Sequence, residues 1–222
     1  METKEKIEEF LSSEKYKVKT DMCKIFKDSG SDKSTYHNYT PLYDCLFSDF
    51  VGKEINFFEL GLGTNNTDVP SNMGKDGVPG ASLYAFRTYL ENANICGADI
   101  DTRVLFEDDN IWTFYVDQRN PEAIEELWSS FEDTKFDIII DDGLHAYSAN
   151  KTFFDNSIHM LAEGGFYIIE DILLTEKDQF VNYFKEKDFS YVDVIELPMD
   201  SDWDPDTGRV NTADNCVLVV QK

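Results

Sequence analysis

The chain has 222 residues, a length that suits one α/β domain with modest additions, and 41% are hydrophobic, enough for a buried core. Its 20 basic and 44 acidic residues give a net charge of −24, so it has no basic footprint for nucleic acid or an anionic membrane. No run approaches the roughly 18 apolar residues of a membrane span, and the charged start METKEKIEEF is unlike a signal peptide, so we expect a cytoplasmic protein.

The apolar pattern predicts an N-terminal helical arm or lid over residues 1–50 and an α/β domain over residues 51–222. The predicted strands of that domain are 56–60, 95–100, 112–116, 136–140, 166–169, 191–197 and 216–220. The predicted helices are 2–28 in the arm and 82–91, 121–131, 147–161 and 176–187 in the domain. Alternating strands and helices predict a Rossmann-like, doubly wound, seven-stranded sheet, mostly parallel, with the last strand antiparallel.

The segment from Phe136 to Ile172 carries the clearest functional signal. It contains two short apolar runs that each end in a pair of acids, with a helix-length segment between them. The acids are Asp141, Asp142, Glu170 and Asp171. A right-handed crossover places the two strands side by side, so we expect both acid pairs and His145 at one edge of the sheet. Ligands of open α/β sheets bind at that edge.

A second ligand signal follows the first strand of the domain. Gly61-Leu62-Gly63 is a turn whose glycines allow close backbone approach to a ligand. Position 66 is Asn where a dinucleotide-binding motif has its third Gly, and the absence of GKS/T excludes a P-loop. Glu59, which ends the strand, suits a cationic ligand group better than a pyrophosphate.

Polar residues also end the next two strands. Asp99 is placed to accept hydrogen bonds from ribose hydroxyls, and Asp117 or Gln118 to reach an adenine amino group. Ser82, at the start of the following helix, is a further candidate for contact with the same ligand. A ligand with an amine, a ribose and an adenine but no phosphate points to S-adenosylmethionine.

The acids expected at this edge of the sheet suit a divalent cation. Three carboxylates at neighbouring strand ends repel one another unless they are protonated or bridged by a cation. Oxygen ligands without cysteine suit Mg²⁺, Mn²⁺ or Ca²⁺ better than zinc. Asp141 is ambiguous: it could orient His145, contact the cofactor, or replace Asp142 as a metal ligand. The alternative interpretation is that the acids are solvated strand ends or helix caps and that His145 is a loop histidine without a catalytic role.

Several residues elsewhere are candidates for contact with the ligands. Lys33 could pair with the carboxylate of the cofactor. The segment with Thr35, His37, Tyr39 and Tyr43 could fold over the cofactor or over the acceptor of its methyl group. The alternative for that segment is an arm that only packs. If that acceptor is a sugar, whose pockets favour aromatic faces, Tyr39, Tyr147 and Trp203 are candidate contacts.

From about residue 30 to residue 220 the chain resembles class I S-adenosylmethionine-dependent methyltransferases. More narrowly, it is similar to the metal-dependent sugar O-methyltransferases of the macrolide and rhamnosyl type, a group often placed alongside cephalosporin hydroxylases. The motifs that carry the resemblance are SDKSTYHNYTPLYDCLF, ELGLG, PGASLYAFRTYLENANICGADID, YVDQRNP and FDIIIDDGLHAYSANKTFFDNSIHMLAEGGFYIIEDI.

The resemblance implies roles for these residues. Those implied to contact the cofactor are Glu59, Gly61, Gly63, Asp99, Asp117 and Gln118. Those implied to hold a divalent metal, usually magnesium, are Asp142, Glu170 and Asp171, with His145 as the general base. The chain departs from the group at Leu144, where serine is usual, which affects the geometry of the loop that carries His145.

The sequence therefore predicts a magnesium-assisted O-methyltransferase that acts on a hydroxyl of a sugar, a glycosylated metabolite or a glycan. The expected partner is that acceptor, without nucleic acid or membrane, and homo-oligomer formation is left open. Three alternatives remain at this point: a methyltransferase for a non-sugar small molecule, an NAD-dependent oxidoreductase, and a non-catalytic cofactor-binding module.

Overall fold

The computed structural model describes residues 2–222 as alternating helices and strands. The helices are α1 Thr3–Ser12, α2 Asp21–Ser29, α3 Thr40–Phe47, α4 Ala81–Tyr89, α5 Pro121–Ser129, α6 Tyr147–Ser157 and α7 Lys177–Phe184. The strands are β1 Ile55–Leu60, β2 Ala93–Asp99, β3 Glu107–Asp108, β4 Ile111–Tyr115, β5 Phe136–Asp141, β6 Leu161–Ile172, β7 Tyr191–Glu196 and β8 Cys216–Gln221. Within the described chain, no helix is both long enough and apolar enough to cross a membrane.

All the strands form one sheet in the order β3-β4-β2-β1-β5-β6-β8-β7. The five strands from β4 to β6 are parallel, and β8 is inserted antiparallel between β6 and β7. The predicted doubly wound, mostly parallel sheet with an antiparallel last strand is therefore confirmed. The predicted number of strands is one too few, because the two-residue β3, which pairs antiparallel with β4, is too short to show a pattern.

The N-terminal segment also differs from its prediction. The single helix predicted over residues 2–28 is divided into α1 and α2, which are joined by a 3₁₀ turn at Lys15–Lys17. Glu14 precedes that turn with φ 53°, a left-handed conformation that an α-helix cannot accommodate. The helix predicted over 147–161 ends earlier, at Ser157, and continues as a 3₁₀ turn.

Helices cover both faces of the sheet. Side chains alternate between the two faces along each buried strand, so both faces carry apolar side chains that pack against helices. Phe57 points to one face, where its ring centroid lies 4.3 Å from that of Phe86 in α4. Phe58 points to the other, where its ring centroid lies 4.7 Å from that of Trp128 in α5. Phe26 of α2 and Phe47 of α3 belong to the same buried cluster as Phe57. The N-terminal helices thus share the core of the sheet, and the boundary at residue 50 stays a prediction.

Candidate active site

The turn after β1 is pressed against the end of β5. Gly61 has φ 92° and Gly63 has φ 77°, both in the left-handed region that favours glycine. A Cβ atom on Gly61 would lie 1.9 Å from the carbonyl oxygen of Asp142. The Asp142 amide donates to the carbonyl of Leu60 at 2.9 Å, which fixes the two strand ends against each other. Glycine at position 61 is therefore what allows the turn after β1 to contact the backbone at Asp142, directly after β5.

Asp99 holds the same turn from the β2 side. One carboxylate oxygen accepts from the Leu62 amide and the other from the Asp101 amide, both at 2.8 Å. Burial raises the pKa of Asp99, and these hydrogen bonds oppose that shift. The carboxylate is thus fixed at the wall of a cavity, where it keeps acceptor capacity for a further donor.

Asp101 is a member of this region that the sequence reasoning missed. It is buried and accepts from the Thr64 hydroxyl at 2.6 Å, from the Asn66 amide at 2.8 Å and from Arg103. The hydrogen bond from Arg103, followed by that from Thr64, holds the pKa of Asp101 well below its usual range. Its place two residues beyond Asp99, after the strand has ended, is the signal that could have indicated this role.

A cavity of about 780 Å³ opens at the carboxyl edge of the sheet. The sequence-predicted residues that line it are Lys33, His37, Gly61, Gly63, Ser82, Asp99, Asp117, Gln118, Asp142, His145, Glu170 and Asp171. The predicted residues outside its lining are Glu59, Tyr39, Asp141, Tyr147 and Trp203. Most of the residues selected from sequence therefore meet at one cavity.

The acids at the cavity wall form two overlapping groups. Donor atoms of Glu59, Asp142 and Glu170 lie within 4.8 Å of one another, and so do those of Asp142, His145 and Asp171. Asp142 belongs to both groups, whereas Glu170 and Asp171 fall in different ones. The oxygen-rich donor set fits a hard divalent cation, since cysteine is absent from both groups and histidine occurs once.

Lys33 lies inside the first of these groups. Its ammonium is 2.6 Å from Glu170 Oε2 and 3.3 Å from Glu59 Oε1, and it also donates to Asp142 Oδ2. Burial disfavours the charged ammonium, but the charges of Asp142 and Glu170 raise the pKa of Lys33 well above its usual value. The side chain predicted to meet a cofactor carboxylate thus contacts carboxylates of the protein itself.

His145 stands between the two acids of the second group. Its Nε2 is 3.1 Å from Asp142 Oδ1, and its Nδ1 is 3.4 Å from Asp171 Oδ2. Burial alone would lower the pKa of His145, but the hydrogen bond to Asp142 and the charge of Asp171 raise it to about 10. His145 has φ 55° and Asp171 has φ 53°, conformations that are uncommon outside glycine and that cluster at functional sites.

Tyrosines from the N-terminal segment fix the carboxylates from behind. The Tyr39 hydroxyl donates to Asp171 Oδ1 at 2.6 Å, and the Tyr43 hydroxyl donates to Glu170 Oε1 at 2.5 Å. The sequence reasoning placed both tyrosines in a segment that could fold over the cofactor or the acceptor, whereas their hydroxyls contact carboxylates of the protein. Their spacing of four residues places the two side chains on one helix face.

Asp141 and Gln118 together hold the loop that carries His145. Asp141 is fully buried and accepts from the Gln118 amide at 2.7 Å, while Gln118 Oε1 accepts from the Leu144 amide at 2.8 Å. Burial raises the pKa of Asp141 to about 7. Of the three roles left open for Asp141, the contacts favour support of the His145 loop.

Two of the predicted aromatic contacts pack elsewhere. The Tyr147 ring meets Phe180 of α7 edge-on, with centroids 5.0 Å apart. Trp203 is buried, donates from Nε1 to the carbonyl oxygen of His37 at 2.9 Å and lies under the ammonium of Lys19. Trp203 therefore ties the acidic loop before β8 to the N-terminal segment.

The sheet order and the cavity at its carboxyl edge are those of class I S-adenosylmethionine-dependent methyltransferases. Within that class the chain is similar in sequence to sugar O-methyltransferases, as its motifs predict. It is 29% identical over 143 residues to 8-demethyl-8-α-L-rhamnosyl tetracenomycin-C 2′-O-methyltransferase from Streptomyces olivaceus, which covers 64% of this chain and 35% of that protein. It is 30% identical over 136 residues to demethylmacrocin O-methyltransferase from Streptomyces fradiae, covering 61% of this chain and 32% of that protein.

A solved structure supports the same placement. MycE methyltransferase from the mycinamycin biosynthetic pathway, in complex with Mg, S-adenosylhomocysteine and mycinamycin VI, matches with a TM-score of 0.58 and 27% identity over 69% of this chain and 37% of that chain. No protein-family model matches the chain. The chain spans about a third of the length of the curated relatives it matches.

Proposed function

We propose that this chain is an S-adenosylmethionine-dependent, magnesium-assisted O-methyltransferase that acts on a hydroxyl of a sugar in a glycosylated metabolite or glycan. The observation that supports it most strongly is the meeting of Asp142, His145 and Asp171 beside the glycine turn of a methyltransferase sheet. The relatives named for O-methylation of rhamnosyl and macrolide sugars support the choice of acceptor.

In this proposal the cofactor lies along the carboxyl ends of β1, β2 and β4. The backbone of Gly61 and Gly63 receives it, Asp99 accepts from its ribose, and Asp117 or Gln118 meets its adenine. When bound, S-adenosylmethionine supplies a methyl group that its sulfonium has already activated. The protein then has to hold the acceptor oxygen about 3 Å from that carbon and in line with it.

Asp142, Glu170 and Asp171 would hold the magnesium ion, with Asp142 shared by the two donor groups to which Glu170 and Asp171 separately belong. When bound, the ion supplies a Lewis acid that lowers the pKa of the acceptor hydroxyl. Glu170 is almost wholly buried and Asp171 mostly so, which suits these residues to a fixed, dry site better than to solvated strand ends.

His145 is the proposed base. It lines the cavity three residues after Asp142, where its imidazole would face an acceptor bound in that cavity. Asp142 and Asp171 favour its protonated form, which is why its pKa is about 10. The imidazole returns towards the neutral form that a base requires when the charges of those carboxylates are neutralised.

The proposal is tested by incubating the protein with methyl-labelled S-adenosylmethionine and a panel of nucleotide sugars, glycosylated macrolides, simple glycosides and a catechol, with magnesium or with EDTA. We expect label in a sugar fraction that EDTA abolishes and added magnesium restores. Glu170→Gln should be inactive, whereas Glu163→Gln, which changes an exposed acid on the same strand, should retain activity. Label in the catechol alone, or transfer that EDTA leaves unchanged, would contradict the sugar acceptor or the metal respectively.

A further inference from the structure

We propose that Lys33 is an internal cation that competes with the divalent ion for Asp142 and Glu170, and that metal binding moves its ammonium towards Glu59. This inference rests on the metal site of the proposed function. It assigns Lys33 a role in setting metal affinity, in place of the cofactor contact that the sequence predicted.

The contacts of Lys33 are those of a buried counter-ion. The residue is 2% exposed, and its ammonium reaches carboxylates that lie 109 and 137 residues further along the chain. Lysine is almost never fully buried unless it is paired. Three carboxylates packed together without a cation would repel one another, so the ammonium stabilises the cluster in which it lies.

The oxygens that a metal needs are already engaged. Asp142 uses Oδ1 for His145 and Oδ2 for Lys33, and Glu170 uses Oε1 for Tyr43 and Oε2 for Lys33. A magnesium ion binds carboxylate oxygens directly, at about 2.0–2.1 Å. A magnesium ion on both carboxylates would therefore lie beside oxygens that Lys33 also contacts, and two cations at the same oxygens repel each other.

Glu59, which is already close to the ammonium, can form a direct hydrogen bond with it after displacement. Its Oε1 is fully buried, forms no hydrogen bond within residues 2–222, and lies 3.3 Å from Lys33 Nζ. Its Oε2 is already held by the Ser82 hydroxyl. A small rotation of the Lys33 side chain would bring Nζ into a direct hydrogen bond with Glu59 Oε1. The ammonium is therefore not left unpaired when the metal enters.

The backbone around Lys33 is fixed, which confines the movement to the side chain. The Lys33 amide donates to the Ser31 hydroxyl, and its carbonyl accepts from the Tyr39 amide at 3.1 Å. Tyr39 in turn holds Asp171. The metal therefore displaces the ammonium while the surrounding backbone stays in place. The free energy needed to move the ammonium appears as weaker metal binding.

The test is calorimetric titration of magnesium into the wild-type chain, Lys33→Met and Lys15→Met at one ionic strength. We expect Lys33→Met to bind magnesium at least about tenfold more tightly than wild type. Lys15→Met removes the same charge from an exposed pair with Glu9, outside the cavity, and should stay within about twofold of wild type. Equal or weaker binding by Lys33→Met, with wild type binding normally, overturns the role of Lys33 and leaves the proposed function intact.

Two further outcomes of the titration have separate consequences. If neither wild type nor Lys33→Met binds magnesium, the metal site of the proposed function is wrong, and this inference is overturned with it. If Lys33→Met does not fold, a crystal structure of the wild type with magnesium decides. Lys33 Nζ should then lie beyond about 3.5 Å from Glu170 Oε2 and within hydrogen-bond reach of Glu59. An ammonium that still bridges Asp142 and Glu170 overturns the inference.

Discussion

The hydroxyl of Tyr39 lies 2.6 Å from Asp171 Oδ1 and so joins the start of α3 to the end of β6, 132 residues later. The bond helps to fix the rotamer of Asp171, whose carboxylate also lies within 3.5 Å of ring nitrogens of His37 and His145. Hydrogen bonds of this kind orient metal ligands, and their loss typically costs about 10- to 100-fold in metal affinity or activity.

Tyr39→Phe should therefore weaken magnesium binding by about 10-fold or more while the fold is retained. The measurement is calorimetric titration of magnesium, with circular dichroism to confirm folding. Tyr115→Phe, which removes a hydroxyl from a half-exposed tyrosine at the end of β4, is the matched control and should bind as wild type does. An unchanged dissociation constant for Tyr39→Phe would show that Asp171 does not need this bond.

His145→Ala should lower the rate of methyl transfer by about 10²–10⁴ and leave S-adenosylmethionine affinity within a few-fold of wild type, because the imidazole acts on the acceptor. The comparison is between single-turnover rates and equilibrium binding of the cofactor. A parallel loss of cofactor affinity would indicate that the residue only supports the pocket.

His145→Gly should be more stable than His145→Ala by about 1 kcal/mol, although both lack the imidazole. Position 145 has φ 55°, a left-handed conformation that costs an alanine more than a glycine. Denaturant unfolding of the two variants measures the difference. Equal stabilities would mean that the loop relaxes away from this conformation once the imidazole is gone.

Gly61→Ala should destabilise the fold by about 3 kcal/mol and abolish cofactor binding, because the new Cβ would overlap the carbonyl oxygen of Asp142. Gly52→Ala is the control that measures the effect of backbone strain without the clash. Gly52 has a similar positive φ of 77°, but nothing lies within 4 Å of the added atom. It should lose only about 1 kcal/mol. Denaturant unfolding and cofactor titration of both variants check the prediction, which fails if the two losses are alike.

Trp203→Phe should cost about 1–3 kcal/mol of stability without changing the Michaelis constant for the acceptor. The substitution keeps an aromatic ring but leaves the buried carbonyl of His37 without the donor that now lies 2.9 Å away. Denaturant unfolding and steady-state kinetics are the measurements. A raised Michaelis constant with unchanged stability would instead restore Trp203 as an acceptor contact.

Local patterns in the sequence were sufficient to predict the sheet and the edge of it at which the candidate active site lies. The acid pairs that close the runs 136–140 and 166–169 predicted adjacent parallel strands, and β5 and β6 are adjacent and parallel. Gly61, Asp99 and Asp142 were placed at one edge, and all three line the cavity. These inferences succeed because strand ends and crossover handedness are local properties of a chain. The cytoplasmic location stays a prediction, and homo-oligomer formation stays open.

The partners of the acids were decided only by the tertiary structure. Nothing near Lys33 in the sequence indicates that its ammonium lies between Asp142 and Glu170, or that Tyr43 donates to Glu170. Those contacts depend on how α2, α3 and the turn between them pack on the sheet, through residues such as Phe26 and Phe47. The sequence determined which side chains reach the carboxyl edge, because alternation and strand ends are local. Long-range packing determined which charge neutralises which, because those contacts join segments more than 100 residues apart.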